Sequence, residues 1–216
     1  MKRHLLLTPL LLIAGCQVFG VIAGKAPPPT VEAAYVGLVG KDVGVMVWAD
    51  NSVTRDFPNI QQDLAGGVQA ALQTAIQSDS KMKELQGTTF VDARKLRRYQ
   101  KDHPELDASP VEDFAPSVGV SRLIYIQIDD FQTRAANAFE LYRGSLTATV
   151  RVYEVVDGKA KQAFSDSGVH VVFPEHVTED GTPNGNDDAM YVGTLRAASF
   201  DVAKRFIPHP DEDYGN

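Results

Sequence analysis

Val43-Gly44-Val45-Met46-Val47-Trp48 is the stretch that decides the fold. It is short, apolar and rich in valine. Val43, Val45 and Val47 point to one side of an extended chain, and Met46 and Trp48 point to the other. A strand that is apolar on both faces is covered on both faces. The run therefore predicts a central strand between packed layers, ended by Asp50-Asn51-Ser52.

The neighbouring segments supply those layers. Residues 58–79 carry Ile60, Leu64, Val68, Ala71, Leu72, Ala75 and Ile76 at helical spacing, with Pro58 suited to the first turn. Gly66-Gly67 is unusual inside that helix, because a glycine costs about 1 kcal/mol relative to alanine. Close packing of helix on sheet is the expected reason. Residues 88–91 read as a second short strand, and Asp92 as the cap of a helix over 93–101. Ser109-Pro110-Val111-Glu112 has the form of a capping box opening a short helix that ends near Ser117.

Residues 122–130 form the strongest strand signal, with Ile124, Ile126 and Ile128 on one face and Leu123 and Tyr125 on the other. Asp129-Asp130 ends it, and a polar loop over 132–138 follows. A long strand over 139–156 alternates Leu146, Ala148, Val150 and Val152 with polar residues, so one of its faces is wet. Asp157-Gly158 is a hairpin-turn signal, and the return strand covers 161–173. The last helix, 189–206, buries Met190, Leu195, Ala198, Val202 and Phe206; Asp187 or Asp188 caps it and Pro208 ends it. The order β-α-β-α-α-β-β-β-α describes an α/β single domain, a mixed sheet with a C-terminal antiparallel meander and helices packed on it.

The first residues concern location. Lys2 and Arg3 precede a short apolar run ending in Ile13-Ala14-Gly15, and Cys16, the single cysteine, follows. Residues 1–15 thus read as a signal peptide. Residues 16–40 form a tether containing Pro27-Pro28-Pro29, residues 41–207 the domain, and residues 208–216 an acidic, disordered tail. The roughly 26 residues from Gln17 to the first strand reach no more than about 85 Å. Two other readings stay open. Leu5 to Gly24 is a nearly uncharged run long enough for one uncleaved membrane-spanning helix, and the chain could also be freely secreted.

Lys2 and Arg3 are the only charges in residues 1–15, so cleavage would lower the net charge from −7 to −9. An acidic chain without a basic run is a poor nucleic-acid binder. Its one basic cluster is Arg94, Lys95, Arg97, Arg98 and Lys101, which is a solvated helix face or a docking patch for an acidic partner or a phosphate-bearing glycan.

Catalytic signals are sparse. His4, His103, His170, His176 and His209 are scattered without metal-ligand spacing. No nucleophile elbow, phosphate loop or dinucleotide fingerprint occurs. Asn184, Asn186 and Asp188 have the spacing of the first calcium-loop positions, but Ala189 and Leu195 stand where the glycine and bidentate glutamate belong. The expectation is no cofactor, no metal and no enzymatic activity. A hydrolase using Asp129, Asp130 and His170 is a rival reading.

Ile13-Ala14-Gly15-Cys16 resembles the bacterial lipobox. The resemblance implies a diacylglyceryl thioether on Cys16, cleavage before it, and acylation of the new amine, for example with palmitate. Gln17 rather than aspartate then favours the outer membrane, with the domain facing the periplasm. With this anchor, a proline-bearing tether, the strand 43–48, the helix from Pro58 and the strand 122–130 leading into a hairpin, the chain resembles a group of envelope lipoproteins. That group includes the curli-secretion lipoprotein, the penicillin-binding-protein activators and the N-terminal domain of the Tol-Pal propeller protein. It is also similar to lipoproteins sharing Gly15-Cys16-Gln17, Ala34-Tyr35 and Phe173-Pro174-Glu175. The first likeness implies a non-enzymatic binding, scaffolding or assembly module with a protein partner in the envelope. The curli likeness allows a secretion or pore subunit, which would need a hairpin with a lipid-facing apolar side. Oligomeric state is left open.

Overall fold

Apolar side chains on both faces, valines on one and Met46 and Trp48 on the other, place Asp42–Ala49 inside a sheet, and the computed structural model shows it there. The model describes residues 28–78, 82–136 and 138–211. The signal segment, Cys16 and the uncleaved-anchor segment lie outside the described residues. The strands are β1 Thr30–Val31, β2 Asp42–Ala49, β3 Thr89–Phe90, β4 Arg122–Ala135, β5 Ala138–Val156, β6 Lys159–Phe173 and β7 His209–Pro210. The helices are α1 Asn51–Asp56, α2 Ile60–Ser78, α3 Ala93–Asp102, α4 Val111–Phe114 and α5 Asp187–Lys204.

Two units are distinguished. In the smaller, β1 and β7 pair antiparallel, with Thr30 opposite Pro210 and Val31 opposite His209. The acidic tail was expected to be disordered from Pro208, so this pairing is a correction at His209 and Pro210. The larger unit, Glu32–Pro208, holds the five-stranded sheet in the order β3-β2-β4-β5-β6. β2 runs parallel to both neighbours, and β4, β5 and β6 form the antiparallel meander. This is the expected α/β mixed sheet.

One sheet face carries Val43, Val45, Val47, Ile124, Ile126, Ile128, Leu146, Ala148, Val150 and Val152 against α2 and α5. The other carries Met46, Leu123, Tyr125 and Tyr153, covered by Leu106, Phe114, Ala115 and Val120. Burying both faces of β2 is what its valine, methionine and tryptophan pattern requires. Leu146, Ala148, Val150 and Val152 are all at most 1% exposed, so the hairpin face that a pore subunit would turn to lipid is sheet core.

The packed unit reaches further toward the N-terminus than residue 41. Leu38 is fully buried. Tyr35 packs on Phe164 and Phe206, its N–H donates to Arg205 O at 3.0 Å, and its hydroxyl donates to Glu154 Oε1 at 2.8 Å.

Several local expectations change for identifiable reasons. Asp50 does end β2, and it also caps α1, accepting from Ser52 N and Val53 N at 2.7 and 3.1 Å. The capping box does not form: Ser109 Oγ turns back to Glu105 O at 2.9 Å, and Pro110 is the N-cap of α4. Asn186 caps α5, accepting from Ala189 N at 2.8 Å, while Asp187 bonds Arg134. Asp157-Gly158 makes the expected two-residue turn, with φ of 51° and 72°, the positive pair that matches strand twist.

The glycine pair in α2 divides. A Cβ on Gly67 would stand 2.2 Å from Ser199 Oγ of α5, so the close approach is helix on helix rather than helix on sheet. A Cβ on Gly66 would meet nothing within 4 Å.

Candidate functional site

The basic cluster lies on α3. Asp92 caps this helix, accepting from Arg94 N at 2.7 Å, and Gln69 of α2 accepts from Ala93 N at 3.1 Å. Ala93, Leu96 and Gln100 are buried beside β2, so the 3.6-residue period turns Arg94, Lys95, Arg98 and Lys101 outward, all exposed. Arg94, Arg98 and Lys101 follow one line along the helix, spanning about 10 Å at 1.5 Å per residue. Arg94 also pairs loosely with Asp92 at 3.4 Å. Arg97 is half-buried, and burial lowers its pKa against the opposing pull of Asp107. The structure thus presents four of the five basic residues on an accessible surface and turns Arg97 partly inward.

Both sheet edges carry features that discourage casual pairing. β3 reaches only the start of β2, where Val91 N donates to Val43 O at 2.9 Å. Val47 O faces the same side, beyond the end of β3. Two glutamine side chains reach it, Gln61 of α2 at 3.2 Å and Gln100 of α3 at 3.1 Å. At the opposite edge, β6 carries register shifts against β5, at Ala148/Val150 and Val152/Tyr153, together with exposed Lys159 and Lys161. Bulges and lysines are the devices that keep an edge from templating another strand.

Asp129 and Asp130 do not end their strand. A register shift falls between Ile128 and Asp130, leaving Asp129 as the extra residue of a bulge. The bulge puts both carboxylates on the wet face and returns Phe131, only 5% exposed, to the core. Beyond it the strand continues to Ala135, so most of the expected loop over 132–138 is ladder. Asp129 accepts from Gln127 and Thr149 at 3.2 and 3.1 Å, Arg151 donates to Gln127 Oε1 at 3.1 Å, and Asp130 accepts from Gln132 at 3.0 Å. His170 stands opposite Thr147, which stands opposite Asp130. With about 4.8 Å between strands, Asp130 and His170 are about 10 Å apart on an open, exposed surface. The hydrolase reading needs these groups to converge in a cleft, and they do not.

Two features gave no sequence signal. A groove of about 360 Å³ lies between α2 and α5, floored by Gly67, Ala70 and Ala71 and walled by Val192 and Phe200, which are 63% and 49% exposed. At its end Tyr191 donates to Asp63 Oδ2 at 2.7 Å; burial, then Asp63, pushes the phenol pKa up. Val192 and Phe200 fall between the core positions of α5, outside the buried stripe, where single apolar residues give no signal of a groove. The second is an ion pair of Arg122 with Glu154 at 3.5 Å beside Tyr35. Among the described residues no group of three or more His, Cys, Asp or Glu could hold a metal ion, and no helix is long and apolar enough to cross a membrane.

No protein-family model and no curated protein matches the sequence. Solved structures align with much of the chain. The lipoprotein GNA1162 from Neisseria meningitidis aligns over 70% of this chain and 90% of its own, at 14% identity and a TM-score of 0.42. The PelC dodecamer from Paraburkholderia phytofirmans aligns over 84% and 95%, at 8% identity and 0.42. The hypothetical protein CT253 from Chlamydia trachomatis aligns over 76% and 96%, at 13% identity and 0.39.

Proposed function

We propose that this chain is a lipid-anchored protein of the bacterial cell envelope, a non-enzymatic binding or assembly module that docks an acidic protein partner on α3. Cys16, directly after a signal-like segment, is the anchor, and Gln17 favours the outer membrane on its periplasmic side. The observation that carries the docking reading is the exposed face of Arg94, Lys95, Arg98 and Lys101 on a chain whose net charge is −7. Charge of one sign on a helix, set in a surface of the other sign, steers a complementary partner and suppresses wrong ones. The register shifts and lysines of the β6 edge favour a helix face over a sheet edge as the docking surface.

Two measurements test the reading. Mass spectrometry of the mature N-terminus is expected to find acylated Cys16; an intact Met1 in membranes overturns the anchor. Cross-linking in native envelopes is expected to recover a partner with the wild-type protein and to lose it when Arg94, Lys95, Arg98 and Lys101 are changed together to Glu. Undiminished recovery by that folded variant overturns the α3 assignment.

A further inference from the structure

We infer that the end of the larger unit bearing Val36, Val39 and Val156 rests against a lipid bilayer. The inference builds on the proposed anchor at Cys16 and adds an orientation to it.

Val36, Val39 and Val156 are 61%, 43% and 57% exposed. They share one end of the sheet. Val36 and Val39 sit in the segment leading to β2, whose Gly37 O accepts from Arg122 Nε at 3.0 Å at the start of β4. Val156 ends β5, two residues beyond Glu154, the partner of Arg122. The segment is held rigidly. Tyr35 bonds Glu154 and Arg205 O, Thr88 Oγ1 donates to Leu38 O at 2.7 Å, and Gly40 N donates to Gln86 O at 2.8 Å. The valines are therefore displayed on a fixed surface, available to an apolar partner.

The position of the anchor says what covers them. The chain enters this unit at Glu32, and only residues 17–31 separate it from Cys16. Even fully extended, those residues reach no more than about 55 Å, so the point where the chain enters this unit stays within that distance of the bilayer. Charge agrees. In and beside the segments carrying the valines, Lys41, Arg122, Lys159 and Lys161 offset Glu32, Asp42, Glu154 and Asp157, so this end of an acidic protein is not repelled by anionic headgroups. Shallow insertion of apolar side chains beside lysines is how a peripheral surface sits in the interface.

Acylation of Cys16 leaves no free thiol, so single cysteines can be introduced and labelled. The mature lipidated protein, with an environment-sensitive fluorophore at position 36, 39, 156, 192 or 200, is reconstituted in vesicles of phosphatidylethanolamine and phosphatidylglycerol. Mass spectrometry first establishes the acylation, so that failure of the anchor is seen separately. Labels at 36, 39 and 156 are expected to blue-shift and to be quenched by headgroup nitroxide lipid several-fold more than labels at 192 and 200. Val36→Asp with Val39→Asp is expected to abolish quenching of the label at 156 while acylation is unchanged. Equal quenching at all five positions, none at 36, 39 and 156, or shielding of those three by a second copy without lipid quenching overturns the inference.

Discussion

Gly67 of α2 lies so close to Ser199 of α5 that a Cβ on Gly67 would stand 2.2 Å from Ser199 Oγ. Its neighbour Gly66 has open space where a Cβ would go. The two glycines therefore predict opposite outcomes. Gly67→Ala must push the helices apart or turn Ser199 aside, an overpacking that costs about 1–3 kcal/mol. Gly66→Ala removes a helix-propensity penalty at no steric cost and should stabilise by about 0.5–1 kcal/mol. Urea unfolding of the two variants checks the pair, and equal signs would show that the contact does not set the helix spacing.

Thr194 is fully buried, and its hydroxyl finds no hydrogen-bond partner among the described residues. It faces Gly144 of β5, where a Cβ would stand within 3.3 Å of Thr194 Cβ. An unpaired buried hydroxyl carries a desolvation penalty without a bond to offset it. Thr194→Val keeps the shape and removes the hydroxyl, and should raise stability by about 1 kcal/mol. A lower urea midpoint would mean that the hydroxyl is satisfied in solution.

Val47 O predicts a pair effect. Gln61 and Gln100 both donate to it, from two helices, at 3.2 and 3.1 Å. Replacing either glutamine by leucine leaves the carbonyl satisfied, and should cost about 1 kcal/mol or less. Replacing both orphans the carbonyl, and the double loss should exceed the sum of the singles by about 1 kcal/mol or more. Additive losses would show that one of the two bonds is not made.

These cases show where the sequence is legible. The alternation in β2, the stripes of α2 and α5 and the Asp157-Gly158 turn are local patterns, and each was readable in advance. The bulge at Asp129 was not. One extra residue reverses the alternation, so two aspartates in sequence read as a strand end when they share a wet face. Gln61 and Gln100 read as ordinary polar positions, because their partner is a carbonyl on another element. The outward face of α3 followed from period and charge, whereas the groove walls Val192 and Phe200 were hidden by lying beside a core stripe of the same chemistry.

Asp187 and Arg134 predict a titration. Hydrogen bonds from Arg134 Nε and Nη2 at 2.8 and 2.6 Å are the main cause holding Asp187 below the usual carboxylate range; slight burial opposes them, and Thr133 adds a bond at 2.8 Å. A carboxylate depressed in the folded state contributes stability above its unfolded pKa of about 3.9. That contribution is lost as pH falls through the folded value. Carbon-detected NMR should follow Asp187 to an abnormally low pKa, rising toward normal in Arg134→Gln. An unchanged titration would mean that the pair does not persist in water.

Arg122 and Glu154 make the most consequential pair. The Arg122 side chain is 9% exposed and that of Glu154 35%, at 3.5 Å, and Arg122 also donates to Gly37 O and Ser121 O at 3.0 and 2.7 Å. Removing Arg122 takes its donor from Gly37 O, while Ser121 O keeps Val155 N at 3.0 Å and Glu154 keeps the Tyr35 hydroxyl at 2.8 Å, so Arg122→Met should cost about 1–3 kcal/mol. Tyr35 supplies a separate readout at high pH. Burial first, then its bond to Glu154, raises the Tyr35 pKa to about 12. A phenol whose folded pKa is raised contributes stability below its unfolded value of about 10, lost as pH climbs through the folded one. Wild-type stability should therefore fall between pH 10 and about 12 more steeply than that of Tyr35→Phe, which should itself be about 1 kcal/mol less stable at neutral pH. Parallel alkaline profiles for the two proteins would show that Tyr35 ionises freely, and that the entry of the chain into the domain is not locked by this bond.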